Sequence, residues 1–266
     1  MLRERSAGTG DRQIRYLEAG SGWPTVLIHG FPLSADMWIP QLEAVPRGWR
    51  FLAPDLKGFG PAPGAPAESL DDMARGVVDL LDELEIERAV IGGLSMGGYV
   101  TLALFRMAPE RFTGVILANT RAAADTDQGR EGRDRMSALV RAKGASAVAD
   151  AMLPTLLGRT TRTSRPEVEP AVRRLIEGNT AAGLDAAIGA MKQRRDATPL
   201  LADIGRPALV MTGDEDVLIP RTESEDLHRL LPRSHLVVLP RAGHLSNMES
   251  PADFSEALGN FLHSNL

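Results

Sequence analysis

The stretch Ile91-Gly92-Gly93-Leu94-Ser95-Met96-Gly97-Gly98 decides how the rest of this chain is read. Before it, residues 88–92 (Arg-Ala-Val-Ile-Gly) have the short apolar pattern of a buried strand. After it, residues 99–108 predict a helix that stops before Pro109. Between the two, Gly93-Leu94-Ser95-Met96-Gly97 fits the G-x-S-x-G pattern of a strand–turn–helix elbow that displays a nucleophile. A serine on so tight a turn has a strained backbone, and glycines two residues to either side remove the Cβ atoms that would collide. Its hydroxyl then projects from the top of a sheet, beside the positive end of a helix.

Outward from the elbow, strands and helices alternate. Residues 12–18 alternate loosely, as an edge strand would. Residues 25–28 are a continuous apolar run suited to a strand covered on both faces, and 51–54, 113–118, 207–211 and 236–239 read as further short strands. Helices are predicted over 35–44 with Ser34 as N-cap, over 69–84 starting at Ser69, over about 223–231 and over about 253–262. Residues 61–66 read as a Pro/Gly/Ala loop. The pattern predicts an α/β fold: a mostly parallel, doubly wound sheet with helices on both faces.

Residues 121–195 break the alternation. They read as several helices interrupted at Gly144, Pro154, Pro166, Pro170 and Gly178-Asn179, and contain no Phe, Trp or Tyr. Residues 1–120 and 196–266 therefore read as the core, and 121–195 as a helical cap inserted late in the sheet. Such an insertion lies over the C-terminal edge of the strands, where ligands bind in open α/β sheets.

With 266 residues, 43% hydrophobic and 24% charged, the chain has the profile of a globular protein with a large core. A net charge of −5 argues against nucleic acid or an anionic membrane as the main partner. The lack of cysteine removes disulfides, thiolate metal sites and a cysteine nucleophile. The opening Met1-Leu-Arg-Glu-Arg-Ser6 has no apolar core of a secretion signal, and no apolar run approaches ~20 residues, so a cytoplasmic location is expected.

Serine is a weak nucleophile and needs a base in hydrogen-bonding reach; histidine alone titrates near pH 7 unperturbed. Of five histidines, His228 falls in a helix, His235 just before a strand and His263 near the C-terminal end. His29 ends a strand and is expected to fix the loop after it. His244 sits in Arg241-Ala-Gly-His-Leu245, past the last strand, where a catalytic side chain would be displayed. The carboxylate that orients this imidazole is sought in Gly213-Asp-Glu-Asp-Val-Leu-Ile-Pro220. Asp216 is chosen because it heads the segment that turns back over the sheet edge; Asp214 and Glu215 read as a solvated acidic turn. The loop beginning Asn119-Thr120-Arg121 is the other possible place, but has no carboxylate before Asp125. Two oxyanion donors are expected: the N–H of Met96, and that of Phe31 in His29-Gly30-Phe31-Pro32, where proline has none to give.

The order Ser95, Asp216, His244 resembles that of the α/β-hydrolases. The resemblance covers nearly the whole chain and rests on His29-Gly-Phe-Pro32 with Trp38, Asp55-Leu-Lys-Gly-Phe-Gly60, the elbow, Gly213-Asp-Glu-Asp216 with Pro220, and Ala242-Gly-His244. Within that family the chain is similar to small carboxylesterases and 3-oxoadipate enol-lactonases, through Ser-Met-Gly-Gly-Tyr99. Phe31-Pro-Leu33 resembles the cofactor-free haloperoxidase/perhydrolase branch, and Phe59 stands where many relatives have histidine. Members with an aspartate nucleophile are excluded by Ser95.

The resemblance implies serine-dependent hydrolysis of carboxylic esters with short to medium acyl chains, through an acyl-enzyme, with no cofactor and no metal. Enol-lactone hydrolysis or perhydrolysis by the same triad are the alternatives, and a non-catalytic ligand-binding member of the fold is a further one. The partner expected is a small ester or lactone, with oligomeric state open. Residues 121–195 carry a net charge of +5 against −10 for the remainder. That charge reads first as a solvated helical surface and second as a preference for anionic substrates. Trp38, Met136, Met152, Leu156, Ile188 and Leu245 are the candidate pocket wall.

Overall fold

The computed structural model describes residues 1–8, 10, 13–61 and 64–265. Eight strands form one sheet: β1 (Arg3–Ala7), β2 (Ile14–Gly20), β3 (Trp23–Ile28), β4 (Trp49–Pro54), β5 (Ala89–Leu94), β6 (Phe112–Ala118), β7 (Ala208–Gly213) and β8 (Ser234–Leu239). Their order is β1-β2-β4-β3-β5-β6-β7-β8. β2 runs antiparallel to β1 and β4, and every other pairing is parallel. The sheet is flanked by helices, as the alternating pattern requires.

β5 lies in the middle of this order and is buried along its whole length. Its six residues, Ala-Val-Ile-Gly-Gly-Leu, form the continuous small and apolar run that a strand covered on both faces needs. The helices in chain order are α1 (Ile39–Glu43), α2 (Leu70–Glu83), α3 (Met96–Met107), α4 (Asp127–Leu156), α5 (Arg159–Ser164), α6 (Val168–Glu177), α7 (Ala181–Lys192), α8 (Arg221–Leu230), α9 (Ser246–Glu249) and α10 (Pro251–Asn265). α2 starts where expected, with the Ser69 hydroxyl accepting the Asp72 N–H at 3.1 Å. It turns Leu70, Met73, Val77, Leu80 and Leu81 into the core.

Several sequence expectations need correction. The edge strand beside β2 is β1, so β2 is not an edge; the Arg-Glu-Arg-Ser run of β1 is exposed and carries no apolar signal. Arg12, placed in the edge strand, and Ala62 and Pro63 of the 61–66 loop lie outside the described residues. Ser34 makes no side-chain cap. Asp55 takes that task, its Oδ1 accepting the Ala35 N–H at 2.7 Å. The helix foreseen over 35–44 is a 3₁₀ turn, Ala35–Trp38, followed by α1, because Pro40 has no N–H to continue a single helix.

Between β6 and β7 the chain passes through α4, α5, α6 and α7. α4 kinks at Gly144, at φ 73°. Pro154 does not interrupt α4, which ends two residues later, and Pro170 falls in the first turn of α6, where its missing N–H would have no helical partner. α4 packs on α6 and α7 with an aliphatic interior that includes Val140, Val148, Leu153, Val172, Ile176, Leu184 and Ile188. Among the described residues no helix is long and apolar enough to cross a membrane.

Candidate active site

Ser95 sits between β5 and α3 at φ 56°, ψ −113°, a region that non-glycine residues rarely occupy. Holding it there costs of the order of 1–3 kcal/mol, repaid by the surrounding structure. The two glycines of the motif show why no larger residue is accommodated. A Cβ on Gly97 would fall 2.1 Å from the Ile28 carbonyl oxygen, and one on Gly93 would fall 2.5 Å from the Gly97 carbonyl carbon. The Ser95 N–H donates to the Ala118 oxygen at 2.9 Å, and its carbonyl accepts the Thr120 hydroxyl at 2.8 Å. The elbow is thereby tied to the loop after β6.

Asp216 and His244 meet across the ends of β7 and β8. Asp216 Oδ2 is 2.9 Å from His244 Nδ1. The same oxygen accepts the Asn119 amide at 2.9 Å, while Oδ1 accepts the N–H groups of Leu218 and Ile219 at 2.9 and 3.0 Å. Burial by itself would push this carboxyl up. The neighbouring His244, the bonds from His244 and Asn119 and the Ile219 N–H outweigh it and hold the group below the usual carboxylate range. With Nδ1–H engaged by a carboxylate, His244 keeps Nε2 as the ring nitrogen able to accept a proton. Ser95 Oγ makes no hydrogen bond to His244 in this structure; in unliganded sites that bond is often long and tightens in the substrate complex.

The Phe31 loop is set by a neutral histidine. His29 Nε2 accepts the Leu56 N–H at 3.0 Å, so Nδ1 carries the proton and donates to the Gly30 oxygen at 3.1 Å. Complete burial pushes this imidazole below its ordinary value, an effect that Asp55 and Gly30 oppose only in part. Phe59 packs edge-on against both His29 and Phe31, with ring centroids 4.9 and 6.5 Å apart. The Leu33 N–H closes the turn onto the Gly30 oxygen at 2.9 Å. Met96 opens α3, where a backbone N–H has no partner within the helix.

A serine on a strained strand–turn–helix turn thus shares the sheet edge with a carboxylate–imidazole pair that follows later strands, and residues 24–251 match the alpha/beta hydrolase fold family. The chain belongs to that family. It is similar to a thermophilic esterase from Thermogutta terrifontis, solved with malate bound: 35% identity, TM-score 0.91, covering 99% of this chain and 98% of the other. It is 29% identical to 3-oxoadipate enol-lactonase 2 of Acinetobacter baylyi, over 93% of this chain and 92% of that one. It is also 29% identical to the dihydrolipoyllysine-residue acetyltransferase component of the acetoin cleaving system of Pseudomonas putida, over 97% of this chain. The chain spans about two thirds of that relative's length, 69%. This alpha/beta hydrolase is thus a member of a family of hydrolytic enzymes.

Of the side chains proposed for a pocket wall, Trp38 is a core residue, wholly buried with its ring centroid 5.7 Å from that of Phe254. Leu156 and Leu245 are brought together, the Leu245 N–H donating to the Leu156 oxygen at 3.3 Å. Both are buried, as is Ile188, while Met136 and Met152 are partly buried on α4.

Three further residues hold this site in ways the sequence reading did not assign to them. Asn119, at φ 46°, bridges Asp216, the Gly243 oxygen and, through its Oδ1, the Ser246 hydroxyl. Glu215 is not a solvated turn residue: it accepts both the N–H and the hydroxyl of Thr160, at 2.7 and 2.6 Å. Glu249, 1% exposed, accepts the N–H groups of Gly158 and Leu245 at 2.7 and 3.0 Å. The two glutamates fasten the start of α5 to the loops that carry Asp216 and His244. The position of Asn119 at a strand end was the single available hint.

Proposed function

We propose that this alpha/beta hydrolase is a serine carboxylesterase acting on small esters of short to medium acyl chain, with residues 121–195 as its cap. Ser95 attacks the ester carbonyl while His244 Nε2 takes its proton. The tetrahedral oxyanion is held by the N–H groups of Phe31 and Met96. His244 then protonates the departing alcohol, leaving an acyl group on Ser95, and water, activated by the same imidazole, releases the acid. Asp216 keeps His244 in the needed tautomer and stabilises its cation. The observation that carries the reading is the Asp216–His244 bond at 2.9 Å, on the same sheet edge as a serine in a backbone conformation that non-glycine residues rarely adopt. The likeness to the Thermogutta terrifontis esterase supports it.

A fluorophosphonate probe tests the reading. It should label Ser95, labelling and hydrolysis of p-nitrophenyl butyrate should both vanish in Ser95→Ala, and full activity in that variant would overturn the mechanism. Enol-lactone hydrolysis by the same residues is the second reading, favoured by the net +5 of residues 121–195 and the likeness to the Acinetobacter baylyi enol-lactonase. A side-by-side assay of a carboxylated lactone against butyrate esters separates the two.

A further inference from the structure

A cavity of about 290 Å³ lies away from Ser95, Asp216 and His244, where the segment returning from α7 meets α2 and α3. Its wall includes four arginines, Arg106, Arg121, Arg194 and Arg195, with Gln193 and Ser69 beside them. One carboxylate, Asp71, also lines it; the rest, Leu70, Leu102 and four alanines with the Tyr99 ring, is largely apolar. A small cavity that is apolar on one side and lined by fixed donors on the other has the general make-up of a ligand site.

The charge of this wall is not cancelled. Asp125, whose side chain is 1% exposed, serves three guanidinium groups at once: Arg194 at 2.6 Å, Arg121 at 2.9 Å and Arg133 at 3.1 Å. Glu223 reaches only Arg121, at 3.8 Å. Asp71 is paired with Arg106. Arg195 is exposed and forms no ion pair among the described residues. Donors also exceed acceptors: the Nε–H groups of Arg121 and Arg194 are buried without a partner. The Arg194 guanidinium is held in place over the Tyr99 ring at 4.2 Å and by the Ala123 oxygen at 2.8 Å. Arginines that share one carboxylate, with exposed Arg195 beside them and an apolar wall opposite, match a compact anion with a short hydrocarbon body, which arginine forks bind with charge-assisted hydrogen bonds.

We infer that this cavity is a second ligand site, separate from the catalytic edge, which takes a small organic anion of the carboxylate or phosphate type. The inference rests on the cavity and not on the esterase reading; only the use of labelled protein, which closes the catalytic edge, draws on the reactivity of Ser95. Tyr99 lies in α3, one turn after Ser95, so the site adjoins the helix that carries the nucleophile.

Titration calorimetry of the intact chain with butyrate, butyl phosphate and n-butanol tests it. One or both anions should bind and butanol should not. Butyrate alone would identify a carboxylate site, butyl phosphate alone a phosphate site. Arg195→Ala removes a charge and Gln193→Glu adds an opposing one at exposed positions, and each should weaken anion binding about tenfold. Protein labelled by fluorophosphonate at Ser95 should bind the anion as before. Failure of both anions to bind, equal binding by butanol, undiminished binding in both folded variants, or loss of binding on labelling would each overturn the proposal.

Discussion

Two buried carboxylates, one at the sheet edge and one in the helical segment, are held by opposite means. Asp216 is held by two backbone N–H groups, the Asn119 amide and His244. Asp125 is held by three arginines. Both carboxyls lie below the usual carboxylate range, although burial pushes each the other way. Asp216 faces one titratable partner, His244, and the donors around it are neutral, so its field is directed at that imidazole. Three guanidinium groups overcompensate the Asp125 charge, which leaves that carboxylate as a fastening and its surroundings positive. The same side chain thus does electrostatic work in one place and structural work in the other, and the cradle decides which.

The sharpest way to break this contrast is Asp216→Asn. It should lower kcat on p-nitrophenyl butyrate by roughly 10⁴, measured on folded protein. Asp214→Asn, at an exposed position, should change kcat little. If Asp214→Asn is the damaging change, the acid is misassigned. Asp125→Asn should do the converse, costing about 3 kcal/mol of stability in urea unfolding because it leaves three arginines short of a partner. Its kcat, measured on folded protein, should move less than tenfold; a larger loss than that of Asp216→Asn would erase the distinction.

Asn119→Ala sharpens the comparison, since it removes one neutral donor and leaves the charge on Asp216. Loss of a hydrogen bond to a charged group predicts a fall in kcat of roughly 10- to 100-fold, with KM nearly unchanged. An unaltered kcat would show that the remaining donors suffice.

The smallest expected effect concerns pH. His29 is neutral in the folded chain because burial lowers its pKa from the ordinary value of 6.5. The unfolded chain takes up a proton near that pH and the folded chain does not. Stability from this group is therefore complete above about pH 6.5 and is lost as pH falls below it, with a slope of at most ~1.4 kcal/mol per pH unit. Urea unfolding at pH 8 and pH 5.5 measures it, and a His29→Gln variant should show a shallower decline. The lowered Asp216 pKa adds a second loss as pH falls below its ordinary value of 3.8.

Much of the sheet was legible in the chain. The runs at 25–28, 51–54 and 113–118 fall inside strands, because a strand buried on both faces must be continuously apolar; 236–239 also falls inside a strand, the half-buried edge strand β8. β1 was not legible, since an exposed polar edge strand leaves no such pattern. The helices of 121–195 were legible as helices, but Pro154 and Pro170 gave false breaks, because proline is tolerated near helix ends.

The sequence by itself determined the elbow and the order of the three groups that follow from it. Gly93, Ser95 and Gly97 act within one turn, and steric exclusion between near neighbours is written in adjacent residues. Asp216 and His244 could be singled out because each lies in the loop that follows a strand. Tertiary structure alone decided how they are held. Asn119 reaches Asp216 across 97 residues and Ser246 across 127, and Glu215 reaches the start of α5 across 55. It also gathered arginines at positions 106, 121, 194 and 195 around one cavity. Such contacts depend on where whole elements pack, and no local periodicity records that.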